Sequence, residues 1–182
     1  MKIISFIVIF ISLLNIGIIN SQEKKLNGIT ISSDDINEIT NYAFDGDLST
    51  NFISSLDYGW IGKELQYPSK ITKIGFHFEV PDVNMYLLGM FQGANEKDFF
   101  DAIPLYMIKE EIKISGVQYI KINCKQTFRY IRYVGPIYSG SIISEFEIYG
   151  IEYPDNNQII QSPNLYQPTN IPLLIISPNN IH

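Results

Sequence analysis

Apolar and polar residues alternate with a period of two through most of this chain, which is the signature of half-buried β-strands. Residues 26–32 alternate over a short stretch, and 59–65 and 71–78 do so over longer ones. Further strands are expected at 85–91, 105–108, 111–114, 119–124, 128–134 and 143–149. Pro68-Ser69 and Pro81-Asp82 supply turn chemistry between them. One helical turn is expected at 34–39, capped by Ser33, with Ile36 and Ile39 on one side. No helix of ordinary length is visible. Many short strands at this spacing predict an all-β fold, a jelly-roll β-sandwich.

The two ends of the chain break this pattern. Lys2 followed by an almost unbroken apolar run from Ile3 to Leu14 reads as a secretory signal, residues 1–21, with cleavage near Ser21. The alternative is an uncleaved anchor, but Asn15 and Gly17 interrupt a run already short of the roughly 20 residues a span requires. The domain is expected at 22–152. Residues 153–182 turn to Asn, Gln, Pro and Ser, which is linker chemistry, and close on a short apolar run at 171–177. That run either adds to a sheet edge or opens a further, truncated module.

Charge narrows the partners. The formal net charge is −6, which argues against nucleic acid and against an anionic membrane as the main target. Cys124 is the single cysteine, so no internal disulfide is possible, and its alternation with Ile120 and Ile122 reads as a buried core thiol. No N-x-S/T sequon occurs.

Chemistry concentrates in a short polar loop between apolar anchors, where Asp45, Gly46 and Asp47 are followed by Thr50 and Phe52. A tight turn of this kind can aim carboxylate, hydroxyl and backbone oxygens at one hard cation. An EF-hand is excluded, since counting from Asp45 its sixth and twelfth positions hold Thr50 and Leu56 where Gly and Glu are required. The other reading is a turn that caps itself through Asp hydrogen bonds. Catalytic signatures are missing: there is no G-x-S-x-G elbow, no H-E-x-x-H and no useful Cys/His pair, so no enzyme is expected.

The loop carrying Ala43, Asp45, Gly46, Asp47, Thr50 and Phe52 resembles the opening loop of discoidin domains, also called coagulation factor 5/8 type C domains, of the galactose-binding-like superfamily. Residues 58–65, the Arg129-Tyr130-Ile131-Arg132 strand and the closing strand with Glu145 and Gly150 continue the resemblance from Leu26 to about Glu152. The segments around Gly93 and Phe99-Phe100 look like a variant of secreted fungal or lower-eukaryote surface proteins. The paired terminal cysteines of blood-clotting members are absent, as are their membrane-inserting hydrophobes with basic neighbours. A short stretch from Leu165 is similar to the opening of a spore coat protein H-like, kinase-like module.

The resemblance implies a structural Ca²⁺ held by the side chains of Asp45, Thr50 and Glu145, with backbone oxygens from Ala43 and Asp47. It also implies glycan recognition. In the loop at 92–104, Asn95, Asp98, Phe99 and Phe100 are the candidate ligand-binding residues, and Tyr138 is the next. Aromatic faces pack on the apolar side of a sugar ring while amide and carboxylate groups take its hydroxyls. The alternative is that Phe99 and Phe100 tuck under their own loop. Trp60 reads as core rather than as a sugar platform, Arg129 and Arg132 as structural ion pairs, and His77 as solvent-facing. The leading expectation is a secreted or cell-surface, non-catalytic module that binds a glycan such as cell-wall polysaccharide within a larger protein. The alternatives are an adhesion module for an extracellular protein, or an accessory domain of a kinase-like protein.

Overall fold

A computed structural model describes residues 22–80, 82–112 and 115–154. The expected signal segment, the linker beyond Pro154 and the possible further module lie outside the described residues. The strands are β1 (Lys24–Lys25), β2 (Gly28–Ser32), β3 (Trp60–His77), β4 (Met90–Ala94), β5 (Ile103–Met107), β6 (Gln118–Lys121), β7 (Phe128–Val134) and β8 (Glu145–Glu152). All the pairings are antiparallel, and the strands form the two layers of a jelly-roll β-sandwich.

The sandwich is organised by β3, an 18-residue strand that belongs to both layers. Its first part pairs with β2 and β7, and β7 continues through β4 to β5. Its second part pairs with β8 and β6, and β8 carries β1 at its edge. Ser69 is opposite both Phe128 and Glu152, so the strand changes layers there. Pro68 was expected to end one strand and begin another. Instead the register shifts between Glu64 and Ser69, and the chain bends through without breaking. A proline is tolerated at such a corner because no ladder bond needs its missing N–H.

Aromatic rings fill the space between the layers. Phe91 lies 5.1 Å, centroid to centroid, from each of Phe76, Tyr133 and Phe146. Along β7 the period of two holds from Tyr130 onward: Ile131 and Tyr133 are buried while Tyr130 and Arg132 face outward, and Phe128, out of phase with them, is buried where the register against β3 shifts. Cys124 is partly buried against this core.

Several local expectations are corrected. The helical turn is Glu38–Asn41, and its cap is Asn37, which accepts the Ile39 and Thr40 amides. Ser33 instead bonds the backbone of Trp60. Residues 83–85 form a 3-10 turn and the strand starts only at Met90, because Asp82 caps that turn through the Asn84 amide. Glu111 and Ile112 lie in no strand. His77 is buried rather than solvent-facing, with its ring nitrogens 3.1 Å from the Gly116 carbonyl and from Glu79. Trp60 is not in the core; it sits on the outer face of the β2-β3-β7-β4-β5 layer.

On the other layer, Glu147 accepts hydrogen bonds from Lys25, Tyr119 and Tyr149 at 2.8–2.9 Å. Desolvation pushes its carboxyl up, but these donors outweigh it and hold the carboxyl below its ordinary value of 4.5. A depressed folded value means that the native state holds on to the ionised form more strongly than the unfolded chain. The stabilisation is therefore present above pH 4.5 and is lost as the pH falls through the lower folded value. Glu147→Gln is expected to flatten this acid limb in melting curves recorded from neutral pH down into the acid range below 4.5.

Candidate functional site

The Asp-Gly-Asp loop is built by a sequence of caps and turns. The helix Glu38–Asn41 passes into a 3-10 turn, Tyr42–Phe44, in which Ala43 is fully buried. Gly46 then adopts φ +80°, a conformation that suits glycine. This points its amide at Glu145 Oε2, 2.9 Å away across 99 residues of sequence. Asp45 accepts the Asp47 amide at 2.8 Å and the Thr50 hydroxyl at 2.9 Å. The Thr50 hydroxyl also lies 2.9 Å from the Asp47 carbonyl. Phe52 then bridges to Ile143 and fixes the loop to the start of β8. Adding a Cβ at Gly46 meets nothing within 4 Å, so Gly46→Ala tests the backbone conformation alone. It is expected to destabilise the domain by roughly 1–2 kcal/mol in chemical denaturation.

Glu145 is the unusual member of this group. It is 1 % exposed, and its Oε1 has no hydrogen-bond partner. Lys25 Nζ stands 3.8 Å from that oxygen and is shared with Glu147 at 2.8 Å. Desolvation raises the Glu145 carboxyl above 4.5 by more than the Gly46 amide and Lys25 lower it. A buried carboxylate with an orphaned oxygen is costly unless something compensates its charge. The surroundings therefore suit a hard cation: Asp45 and Glu145 carboxylates, the Thr50 hydroxyl and the Asp47 carbonyl meet around one turn, with the buried Ala43 two residues before it. Among the described residues no three His, Cys, Asp or Glu gather as a metal cluster. The oxygens present are two carboxylates, a hydroxyl and a carbonyl, a mixed set of the kind a hard cation takes.

The candidate ligand-binding residues separate into two regions. The loop between β4 and β5 spans only 95–102, because both strands extend further than expected. Asn95 is spent on structure: its side chain bonds the Thr127 carbonyl and the Arg129 amide at the start of β7. Asp98 caps the Phe100 amide. Asp101 ties the loop by accepting the Asn95 and Glu96 amides. Phe99, at φ +61°, folds back onto the sheet against Trp60 and Tyr130 and is 5 % exposed. Phe100 is 93 % exposed.

Tyr138 lies beyond the end of β7 opposite to the one that Asn95 binds. There the 135–142 and 53–59 loops are stitched together, with the Tyr138 amide on the Asp57 carbonyl and the Ser54 amide on the Gly140 carbonyl. The stitching holds two exposed tyrosines, Tyr58 and Tyr138, on adjacent loops, with Leu56 and Ile137 also exposed. At Ile53 and Ser55 the 53–59 loop also borders a cavity of about 290 Å³, lined further by Asp34, Asp35, Asn37 and Ile39. Tyr58 and this cavity were not legible as site features, because the sequence pattern placed Tyr58 at the start of the Trp60 strand. The Asp57-Tyr58-Gly59 turn is the signal that an exposed aromatic was possible there.

No family model matches the chain, and no curated protein matches it either. Solved structures do. The chain is similar to CBM62 from Clostridium thermocellum Xyl5A at 30% identity and a TM-score of 0.66, covering 71% of this chain and 98% of that one. It is also similar to chitosan-binding module 1 of a chitosanase/glucanase from Paenibacillus sp. IK-5, at 21% identity and a TM-score of 0.51 over 69% of this chain and 96% of that one. An F5/8 type C domain from Bacteroides fragilis aligns at 14% identity and a TM-score of 0.51, over 69% and 92% of the respective chains. The last two likenesses bear on the fold alone, whereas the first spans nearly a whole module at an identity that fold similarity alone does not require. The chain belongs to the family of the CBM62 module, and it has the galactose-binding-like, discoidin (F5/8 type C) fold that the CBM32 modules share.

Proposed function

We propose that this chain is a non-catalytic carbohydrate-binding module of a secreted or cell-surface protein, and that it takes its glycan at the loop end bearing Tyr58 and Tyr138. The observation that carries the reading is the pair of tyrosines, 71% and 77% exposed, held on hydrogen-bonded neighbouring loops beside a cavity. An exposed aromatic held rigid loses little conformational freedom on binding, and its face packs against the C–H face of a sugar ring. Asp35 at the cavity would take a hydroxyl group, while Asn37 is held by its capping bonds. The similarity to CBM62 supports the same reading. Phe100 offers a separate aromatic surface at the far end, and Asn95 and Asp98 serve to shape its loop.

Calcium is part of this proposal. Asp45, Thr50 and Glu145 would hold it through side chains, with Ala43 and Asp47 giving backbone oxygens. Its contribution would be to neutralise Glu145 and pin the 43–50 loop to β8, keeping the neighbouring loops in place.

A glycan array over plant and microbial polysaccharides, followed by titration of the best ligand, tests the reading. Tyr138→Ala and Tyr58→Ala are each expected to weaken binding by about tenfold or more, the size typical of a hot spot. Phe100→Ala is expected to leave it unchanged. A folded, calcium-loaded domain that binds no polysaccharide would overturn the proposal. A second reading, an adhesion module for an extracellular protein, is favoured by the exposed Leu56 and Ile137 around the tyrosines. Capture of a partner that survives deglycosylation of the extract would support it over the glycan reading.

A further inference from the structure

The outer face of the β2-β3-β7-β4-β5 layer carries a positive group that the proposed loop-end site does not use. Arg132 sits in the middle of β7, opposite Gly62 on β3 and Gln92 on β4. Gly62 presents no side chain on that flank. On the other flank Gln92 Oε1 accepts from Arg132 Nε at 2.8 Å and fixes the plane of the group. The guanidinium carbon lies 4.1 Å from the Phe99 ring centroid and 5.5 Å from that of Trp60. This surrounding is apolar and aromatic, and burial makes the charge harder to hold.

What is missing is a counter-charge. The acidic residue nearest along the strands, Glu64, is held by Arg129 at 2.9 Å. Among the described residues Arg132 makes no ion pair, and its two terminal nitrogens make no hydrogen bond to the protein. A half-buried guanidinium is ordinarily matched by a carboxylate, whose two oxygens fit its planar fork. Here the Nε side is occupied, so the remaining edge presents two parallel donors. Trp60 is partly exposed, and the guanidinium lies over its ring.

We propose that Arg132 and Trp60 form a second subsite, on the sheet face rather than at the loop end, that recognises the carboxylate of a uronic-acid unit in an acidic glycan. Arg132 would bind the carboxylate in bidentate fashion, and Trp60 would pack against the ring that carries it. The choice of a uronate over a protein carboxylate rests on the carbohydrate-binding reading of the preceding subsection. The net charge of −6 acts against dense polyanions at long range, so short or sparsely charged oligosaccharides are the fitting ligands.

Trp60 is the only tryptophan, so its fluorescence reports this subsite directly. The experiment titrates the calcium-loaded domain with a galacturonate trisaccharide and, in parallel, with the neutral galactose trisaccharide. The acidic sugar is expected to change Trp60 emission with an affinity at least about tenfold higher than the neutral one, a factor that corresponds to about 1.4 kcal/mol. Arg132→Gln should abolish that preference. Arg132→Lys, which keeps the charge but loses the fork, should reduce it. Tyr138→Ala should leave the Trp60 response to galacturonate intact while weakening neutral glycan at the loop end, which keeps failure of the two proposals distinguishable. If the arginine variants do not fold, the wild-type comparison of the two trisaccharides decides alone. Equal responses to both sugars, no response to galacturonate, or an undiminished preference in Arg132→Gln would overturn the proposal.

Discussion

Replacing Phe91 by alanine is expected to destabilise the domain by about 3–5 kcal/mol, the range for removing a fully buried phenylalanine. Phe91 has no exposed surface and touches rings from both layers: Tyr133 beside it, and Phe76 and Phe146 across the sandwich. Its removal leaves a cavity bounded by stiff aromatic rings, which collapse poorly into the gap, so the upper part of the range applies. Domains of this kind hold only about 5–15 kcal/mol in total, so the variant should unfold at a much lower denaturant concentration. Phe100→Ala provides the contrast. Its ring is exposed, and truncation there should change stability by no more than about 0.5 kcal/mol. Urea unfolding of the two variants beside the parent checks both values. A small effect at Phe91 would mean that the layers do not meet through that ring.

The sequence pattern served best where burial alone decides structure. β7 appears at its expected bounds because Ile131 and Tyr133 must point inward while Tyr130 and Arg132 cannot. The link between the opening loop and the closing strand was legible through the family resemblance, since Asp45, Gly46 and Glu145 stand at its motif positions. Three other features depended on contacts between distant segments, which period and propensity do not carry. Pro68 reads as a turn by local chemistry, yet the pairing of Ser69 with both layers turns it into a corner inside one strand. The 95–102 loop reads as a polar binding loop, yet its polar groups bond one another and β7, and this drives Phe99 onto the sheet. His77 alternates as a surface residue would, yet the Gly116 carbonyl and Glu79 satisfy both of its nitrogens and allow burial.

Chelating calcium is expected to lower the melting temperature by several degrees, and Glu145 decides how. A ligand that binds only the native state at 100 times its Kd adds about 2.7 kcal/mol, which at roughly 2–4 °C per kcal/mol is a readily measured shift. Asp45→Ala should remove the response by deleting a carboxylate ligand, and Glu145→Gln should remove it by deleting the charge. Without metal, however, the two variants should part company. The Glu145 carboxyl is raised above 4.5 by desolvation, so the metal-free native state takes up a proton there more readily than the unfolded chain. Its stability should therefore rise as the pH falls from neutral towards 4.5 and fall as the pH climbs through the raised folded value. Glu145→Gln removes that buried charge while its amide oxygen can still accept from the Gly46 amide. In chelator at neutral pH it should melt at or above the parent, whereas Asp45→Ala, which loses the Asp47 and Thr50 hydrogen bonds, should melt below it. Adding calcium should reverse the order, leaving the parent the most stable of the three. A parent whose melting curve is unchanged by chelator at matched ionic strength would mean that the loop is a self-capped turn and that Lys25 and Lys63 balance Glu145.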